Sequence, residues 1–159
     1  WIRFRLWGND KTSLIKVTYL DEVYYVQEIF SEAKLSIRST LTKMRKNFVP
    51  FNSKIYADSA VPELINQIRE GGYTSIRKAY KGNKEAGIKK IQDKEIVIIG
   101  DTTTGLYYSY MTFRRDAKGK LPHEPDELAA LRYAINSKRP IKNPQKPKPR
   151  RARRTKGFL

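Results

Sequence analysis

Lys54-Ile55-Tyr56-Ala57-Asp58-Ser59-Ala60-Val61-Pro62-Glu63-Leu64-Ile65 changes character halfway along. Its first half is a short β-branched and aromatic run that ends in a carboxylate; its second half is a helix start with Pro62 in the first turn. The stretch therefore reads as strand, corner and helix. Asp58 falls at the C-terminal tip of the strand, where α/β proteins present reactive side chains. The plainer alternative is that Asp58 only caps the helix. Ser59 competes for that role, because its hydroxyl can cap a helix beginning at Ala60 and so leave Asp58 for chemistry.

Upstream, Trp1–Trp7 alternates Ile2, Phe4 and Leu6 against Arg3 and Arg5, a strand pattern with one face for the core. Gly8-Asn9-Asp10 supplies a turn, and Thr12–Leu20 resumes the alternation with Ile15, Val17 and Tyr19. Leu20-Asp21-Glu22-Val23 is a tight hairpin into Val23–Phe30, so the first thirty residues form a three-stranded antiparallel meander. From Leu35 to Phe48 the residues Ile37, Leu41, Met44 and Phe48 recur at helical steps, with Arg38, Lys43, Arg45 and Lys46 opposite and Pro50 as terminator.

Downstream, a helix burying Leu64, Ile65 and Ile68 stops at Gly71-Gly72. Tyr73–Ala79 reads as a strand, Lys84–Gln92 as a short helix, and Glu95–Ile99 as an apolar strand of the buried kind. Thr102–Tyr110 fits either state. Thr112–Lys120 reads as an edge hairpin turning at Lys118-Gly119, and Pro125–Asn136 as a helix with Leu128, Leu131 and Ile135 on one face. Beyond Arg139, Pro140, Pro144, Pro147 and Pro149 alternate with Lys and Arg, which denies both helix interior and ladder bonds. Residues 1–137 thus read as one domain and 138–159 as a basic, Pro-rich tail, disordered alone.

The 159 residues suffice for one domain with a core. They open on an apolar-alternating segment with no initiating Met, which reads as a fragment of a larger protein. The absence of Cys and the single His123 exclude a disulfide framework, a Cys-based zinc site and a His cluster. Any metal must take oxygen ligands, which points to magnesium or manganese. No apolar run of about 18 residues and no signal peptide is present, so a soluble, intracellular protein without a membrane partner is expected. Net charge is +17, from 33 Lys and Arg against 16 Asp and Glu. Ten of the basic residues and no acid lie in 138–159, and the rest is basic too. A polyanion, most simply nucleic acid, is the implied partner.

Three antiparallel strands, a helix, a strand ending in Asp, a helix, a further strand or two and a closing helix follow the order of a ribonuclease H-like sheet. That α/β sheet is ordered 3-2-1-4-5, with strand four parallel to strand one. The tips of strands one and four then lie side by side, where carboxylates can share two divalent ions about 4 Å apart and hydrolyse a phosphodiester.

Within this order stand Gly8-Asn9-Asp10-Lys11-Thr12-Ser13-Leu14, Ala57-Asp58-Ser59-Ala60-Val61-Pro62, Gly71-Gly72, Lys78-Ala79-Tyr80-Lys81-Gly82 with Gly87-Ile88, and Ala130-Leu131-Arg132-Tyr133-Ala134. The set resembles the C-terminal nuclease domain of the large terminase subunit of tailed bacteriophages over most of residues 1–136. The resemblance implies viral DNA packaging in the bacterial cytoplasm, double-stranded DNA as partner, an ATPase domain elsewhere in the full-length chain, and docking to portal or capsid. It also implies three metal-binding acids. Asp58 matches the second, while the first and third fall on Phe4 and Ala129, which cannot bind a metal.

Two chemistries follow. In the first, the domain keeps the nuclease fold without cutting and needs no cofactor. In the second, Asp58, Asp126 and either Asp10 or Asp101 assemble a displaced magnesium or manganese site that still cleaves DNA. Asp126 lies one turn before Ala129 on the same helix face, and Glu127 points elsewhere.

Arg77, Lys78, Lys81 and Lys84 lie in a segment that, by the resemblance, borders the cleft and contacts the DNA backbone; otherwise they are a solvated surface cluster. Arg150, Arg151, Arg153 and Arg154 of the tail are a DNA-binding arm or a portal attachment. Tyr107, Tyr108, Tyr110 and Phe113, beside Arg114 and Arg115, could stack on single-stranded nucleic acid but read first as core residues. Gly100-Asp101-Thr102-Thr103-Thr104-Gly105 lacks the Lys-Ser or Lys-Thr of a phosphate loop and reads as a connection with a Thr cap. His123 reads as an exposed loop spacer. An RNA-binding or ribosome-associated protein shares the charge and the aromatics, but does not predict this strand order.

Overall fold

A computed structural model describes residues 2–5, 11–58, 60 and 62–137, residues 2–5 by their backbone alone. In chain order the elements are β1 (Ile2–Arg5), β2 (Lys11–Leu20), β3 (Val23–Ala33), α1 (Ile37–Lys46), β4 (Ile55–Ala57), α2 (Pro62–Glu70), β5 (Ile76–Lys78), α3 (Lys84–Gln92), β6 (Ile96–Ile99), α4 (Gly105–Thr112) and α5 (Asp126–Asn136). The sheet runs β5-β4-β1-β2-β3-β6. This is the expected 3-2-1-4-5 order with one strand added outside β3.

β2 and β3 form the backbone of the sheet. Asp21 and Glu22 both adopt positive φ, 48° and 65°, the twist a two-residue hairpin requires. Leu14 and Ile15, adjacent in sequence, serve opposite layers. Leu14 joins Phe30, Met44, Ile55, Ile65 and Ile68 under α1 and α2. Ile15 joins Val26, Leu106, Leu131 and Ile135 under α4 and α5. A bulge pairs Leu14 with Phe30 but Ile15 with Glu28, so Ile29 is the extra residue; Glu28 continues the Tyr24–Val26 face toward α4, and Phe30 passes to the α1 face.

β4 lies parallel to β1, with Phe4 level with Ala57, and parallel to β5, with Ala57 level with Lys78. The tips of β1 and β4 therefore lie side by side. α5 crosses this end of the sheet with Ala129, Ala130 and Leu131 fully buried. Small side chains at 129 and 130 let the helix approach the strands closely.

Several expectations are corrected. β6 is the outermost strand, parallel to β3, with Val97 and Ile99 exposed. Continuous apolarity indicated two buried faces, but only Ile96 and Ile98 pack on the core. Thr112–Lys120 forms no hairpin: α4 runs through Thr112, and Asp116 Oδ1 accepts the amides of Lys118 and Lys120, so the side chain replaces a ladder. Thr102–Tyr110 resolves as a connection and α4, capped by Thr104. The strand expected over Tyr73–Ala79 is only Ile76–Lys78, with Tyr73 fully buried ahead of it. Phe48, expected in the buried stripe of α1, lies beyond the end of that helix and is 90% exposed.

The first hairpin turn, with Asp10, and the tail, with Arg150, Arg151, Arg153 and Arg154, lie outside the described residues. No helix among the described residues is long and apolar enough to cross a membrane.

Candidate functional site

Asp58 follows the last residue of β4 and is 4% exposed. Its Oδ1 accepts the Ala60 amide at 2.8 Å, so Asp58 holds the corner before α2 and is not left free of a local role by Ser59. The same oxygen lies 2.6 Å from Lys81 Nζ. Oδ2 accepts a long hydrogen bond from the Tyr133 hydroxyl on α5, 3.4 Å. Burial alone would raise the Asp58 pKa; the Lys81 ammonium, the Ala60 amide and Tyr133 outweigh it and hold the carboxyl below its usual range.

Lys81 reaches Asp58 because the backbone before it is fixed. Past β5, the Ala79 amide donates to the Ala57 carbonyl at 2.7 Å, carrying the ladder one residue further. The Tyr80 amide donates to Ser137 Oγ at 2.9 Å, and Arg132 Nη1 to the Lys81 carbonyl at 3.1 Å. Arg132 is fixed in turn by Glu124, through Nε and Nη2 at 2.8 Å each, with both side chains buried. Burial opposes the Arg132 charge, but the Glu124 carboxylate outweighs it and raises the guanidinium pKa further. Gly87 completes the arrangement: a Cβ there would stand 2.8 Å from Arg132 Cδ, so α3 can pack against Arg132 only with glycine at this position.

The positions that the sequence assigned to the other two acids border Asp58. Phe4 is level with Ala57 on the neighbouring strand, and Ala129, fully buried, lies one turn before Tyr133. Asp126 accepts the Lys11 amide through Oδ2 at 3.2 Å, at the start of β2. Asp101 bonds the Thr103 amide in the loop before α4. Among the described residues no three His, Cys, Asp or Glu side chains group to hold a metal ion. Asp58 Oδ1 instead meets the Lys81 ammonium at 2.6 Å. Among the described residues this donor set does not fit a pair of divalent ions, and Asp10 lies outside them.

Of the basic cluster, Arg77 and Lys78 are exposed on the edge strand β5, Lys84 Nζ donates to the Pro122 carbonyl at 3.3 Å, and only Lys81 meets Asp58. Tyr110 and Phe113 pack against the core while Tyr108 is 68% exposed, so these aromatics form no common platform.

A second acidic locus was not visible in the sequence. Glu127, 2% exposed, accepts from Ser31 Oγ at 2.6 Å and pairs with Lys11 Nζ at 3.6 Å. Glu28 accepts the Leu106 amide at 2.6 Å. Desolvation chiefly, with the Glu127 charge, raises the Glu28 pKa against the lowering effect of the backbone amides and Lys11. A Cβ on Gly105 would stand 2.8 Å from Glu127 Oε1 and 3.4 Å from Glu28 Oε2, so α4 starts between the two carboxylates.

No protein-family model matches the chain, and no curated protein matches it in sequence. Solved structures match its fold. The nuclease domain of g2p, the large terminase of bacteriophage SPP1, solved with bound Mn, superposes with a TM-score of 0.68 at 24% identity, over 85% of this chain and 82% of that one. The nuclease domain of the P22 large terminase gives 0.62 at 16% identity, over 84% and 77%. The large terminase of a thermophilic bacteriophage gives 0.69 at 16% identity; the match covers 85% of this chain but only 38% of that larger protein. The chain therefore has the ribonuclease H-like fold of phage large-terminase nuclease domains.

Proposed function

We propose that this chain is the nuclease-type domain of a phage or prophage large terminase, that it binds double-stranded DNA during packaging, and that it does not cut there. The observation that carries this reading is the 2.6 Å contact of Lys81 Nζ with Asp58, the one carboxylate that matches a terminase metal ligand. A buried carboxylate bonded to an ammonium is neutralised without a metal, and among the described residues no group of three acids stands there to hold an ion. The exposed Arg77 and Lys78 on β5, the strand beside β4, together with a net charge of +17, supply phosphate contacts without base reading. The large terminase of the thermophilic phage, solved also with ATP-gamma-S, supports an ATPase domain in the full-length chain. Portal or capsid contact falls to the basic tail.

Duplex binding at two salt concentrations and a plasmid-nicking assay in manganese test this. Binding that falls steeply with salt and weakens in Arg77→Ala/Lys78→Ala, with no nicking, is expected. Nicking abolished by Asp58→Ala would overturn the non-cutting reading and revive a displaced metal site. A preference for structured RNA over duplex DNA would favour the RNA-binding class.

A further inference from the structure

Tyr110 and Phe113 form no platform, but together with α3 they enclose a space. α3 packs on α5 through Gly87 and Ile91, and α4 packs on it through Leu106. Between the two helices opens a cavity of about 290 Å³, at the small end of the range for ligand sites. Ile88, Ile91, Tyr110, Met111, Phe113 and Leu128 line it. One charged group interrupts this apolar wall. Glu124, 6% exposed, also lines the cavity, and its two oxygens accept Arg132 Nε and Nη2 at 2.8 Å each. An ionised carboxylate has about four acceptor positions, so Arg132 leaves about two, and among the described residues no further donor meets them.

A wider cleft of about 720 Å³ adjoins the cavity, and Ile88, Gln92, Phe113 and Arg114 are walls of both. Its cations are Lys89, Arg114 and Arg115. Arg115 is paired with Glu85 at 3.5 Å. The exposed Lys89 has no acid in bonding range among the described residues, and Arg114 Nη1 donates only to the Phe113 carbonyl, 3.1 Å. Asp93 is the one further acid on this wall, so the cations outnumber the acids.

The two compartments select different parts of one ligand. An apolar slot with aromatic walls and an acceptor on its lining suits a flat ring that carries an N–H donor, and the cationic cleft suits a phosphate. A leucine or phenylalanine side chain from a peptide would fill the slot but strip water from the spare Glu124 acceptors and return no hydrogen bond. A nucleobase with an exocyclic amino group supplies both the apolar face and the donor. The location agrees, because Arg132 joins Glu124 to the Lys81 carbonyl and so links this cavity to the Asp58 cleft through a single side chain.

We propose that the joined cavities hold an unpaired nucleotide of a DNA strand, its base beside Tyr110 and Phe113 with the amino group on Glu124, and its phosphate against Lys89 and Arg114. This rests on the DNA-binding reading and adds to it the capture of a single-stranded end. The test compares a blunt duplex with the same duplex carrying a short overhang, either of cytosines or of abasic sites that keep the phosphates. The cytosine overhang is expected to bind about tenfold more tightly than the abasic one, and 5-iodocytosine in that overhang to crosslink on irradiation within residues 107–113. Lys89→Glu/Arg114→Glu alters two exposed side chains, spares the fold and should erase the preference. Equal affinity for the two overhangs, or crosslinks confined to other segments, overturns the proposal; blunt-duplex binding then leaves the DNA reading standing. Binding to none of the three DNAs overturns both. An acidic, phenylalanine-bearing peptide that binds saturably, loses binding in the same variant and meets no competition from the cytosine overhang also overturns it, because the occupant is then a protein partner.

Discussion

Two carboxylates meet cations on either side of the chain at α5, and they are built differently. Glu124 and Arg132 are both buried and joined by two parallel bonds of 2.8 Å, a planar fork on a planar acid. Asp58 is as buried, but its Lys81 partner is 43% exposed and makes a single contact from a flexible stem. The first pair cannot part without stranding two charges. In the second, water and anions reach the cation and compete for it. The Arg132 bond to the Lys81 carbonyl connects them, so the rigid pair holds the backbone from which the adjustable one reaches.

Breaking the rigid pair has the largest expected effect. Arg132→Met leaves Glu124 buried without its cation and should cost about 3–5 kcal/mol in urea unfolding. Arg132→Lys should recover only part, because an ammonium cannot reproduce the fork. Loss of the anchor on the Lys81 carbonyl should also speed amide exchange through residues 79–83.

Lys81→Met should cost less, about 1–3 kcal/mol, since solvent already weakens the contact. Its distinctive result is a reversal of slope. In the wild type the Asp58 pKa is lowered, so its contribution is present above the unfolded value near 3.9 and lost as pH falls through the folded value. Without Lys81, burial, already the largest single influence, is opposed only by the Ala60 amide and the Tyr133 hydroxyl, and the folded pKa is expected to rise above the unfolded one. Stability at this locus should then fall as pH rises through the carboxylate range. Unfolding midpoints from about pH 6 to about pH 3 distinguish the two slopes.

Glu28 sharpens the contrast as an acid bonded to a backbone donor rather than to a cation. Its pKa is raised, so ionisation disfavours the native state and stability falls as pH rises through its folded pKa. Glu28→Gln keeps an acceptor for the Leu106 amide and removes repulsion from Glu127. A gain of under about 1 kcal/mol at neutral pH, with a flatter pH dependence, is expected by calorimetry.

The sequence made the sheet legible where local chemistry and global pairing agree. Alternation through β2, the Asp21-Glu22 turn and the apolar stripe of α5 each point to the structure observed. Sequence reading failed where one pattern serves two environments. The run Ile96–Ile99 looks the same at an edge as in a core, and Lys118-Gly119 turns the chain whether strands or an Asp116 side chain flank it. Asp58 was legible because a carboxylate at a strand tip is a local signal. Its bond to Lys81 was not, because it depends on how far the β4–β5 ladder continues past Ala57. Glu28 was hidden because it stands in the alternation of Tyr24 and Val26, where an acid gives no local sign that α4 will cover it.

Tyr133→Phe has the smallest expected effect and separates a structural from an electrostatic part for Tyr133. Its ring is buried, and the Arg132 guanidinium carbon lies 4.7 Å from its centroid, contacts that phenylalanine preserves. The hydroxyl is removed, with its 3.4 Å bond to Asp58 Oδ2 and its interaction with the Arg132 guanidinium. A bond of that length lies beyond ordinary geometry and should contribute about 0.5 kcal/mol or less. Because Lys81 and the Ala60 amide stay on Oδ1, Asp58 should remain ionised and keep the sign of its pH dependence, with the acid limb moved slightly upward. If Tyr133→Phe instead reverses the slope as Lys81→Met does, the hydroxyl rather than the ammonium keeps Asp58 charged, and the division between a rigid pair and an adjustable one no longer holds.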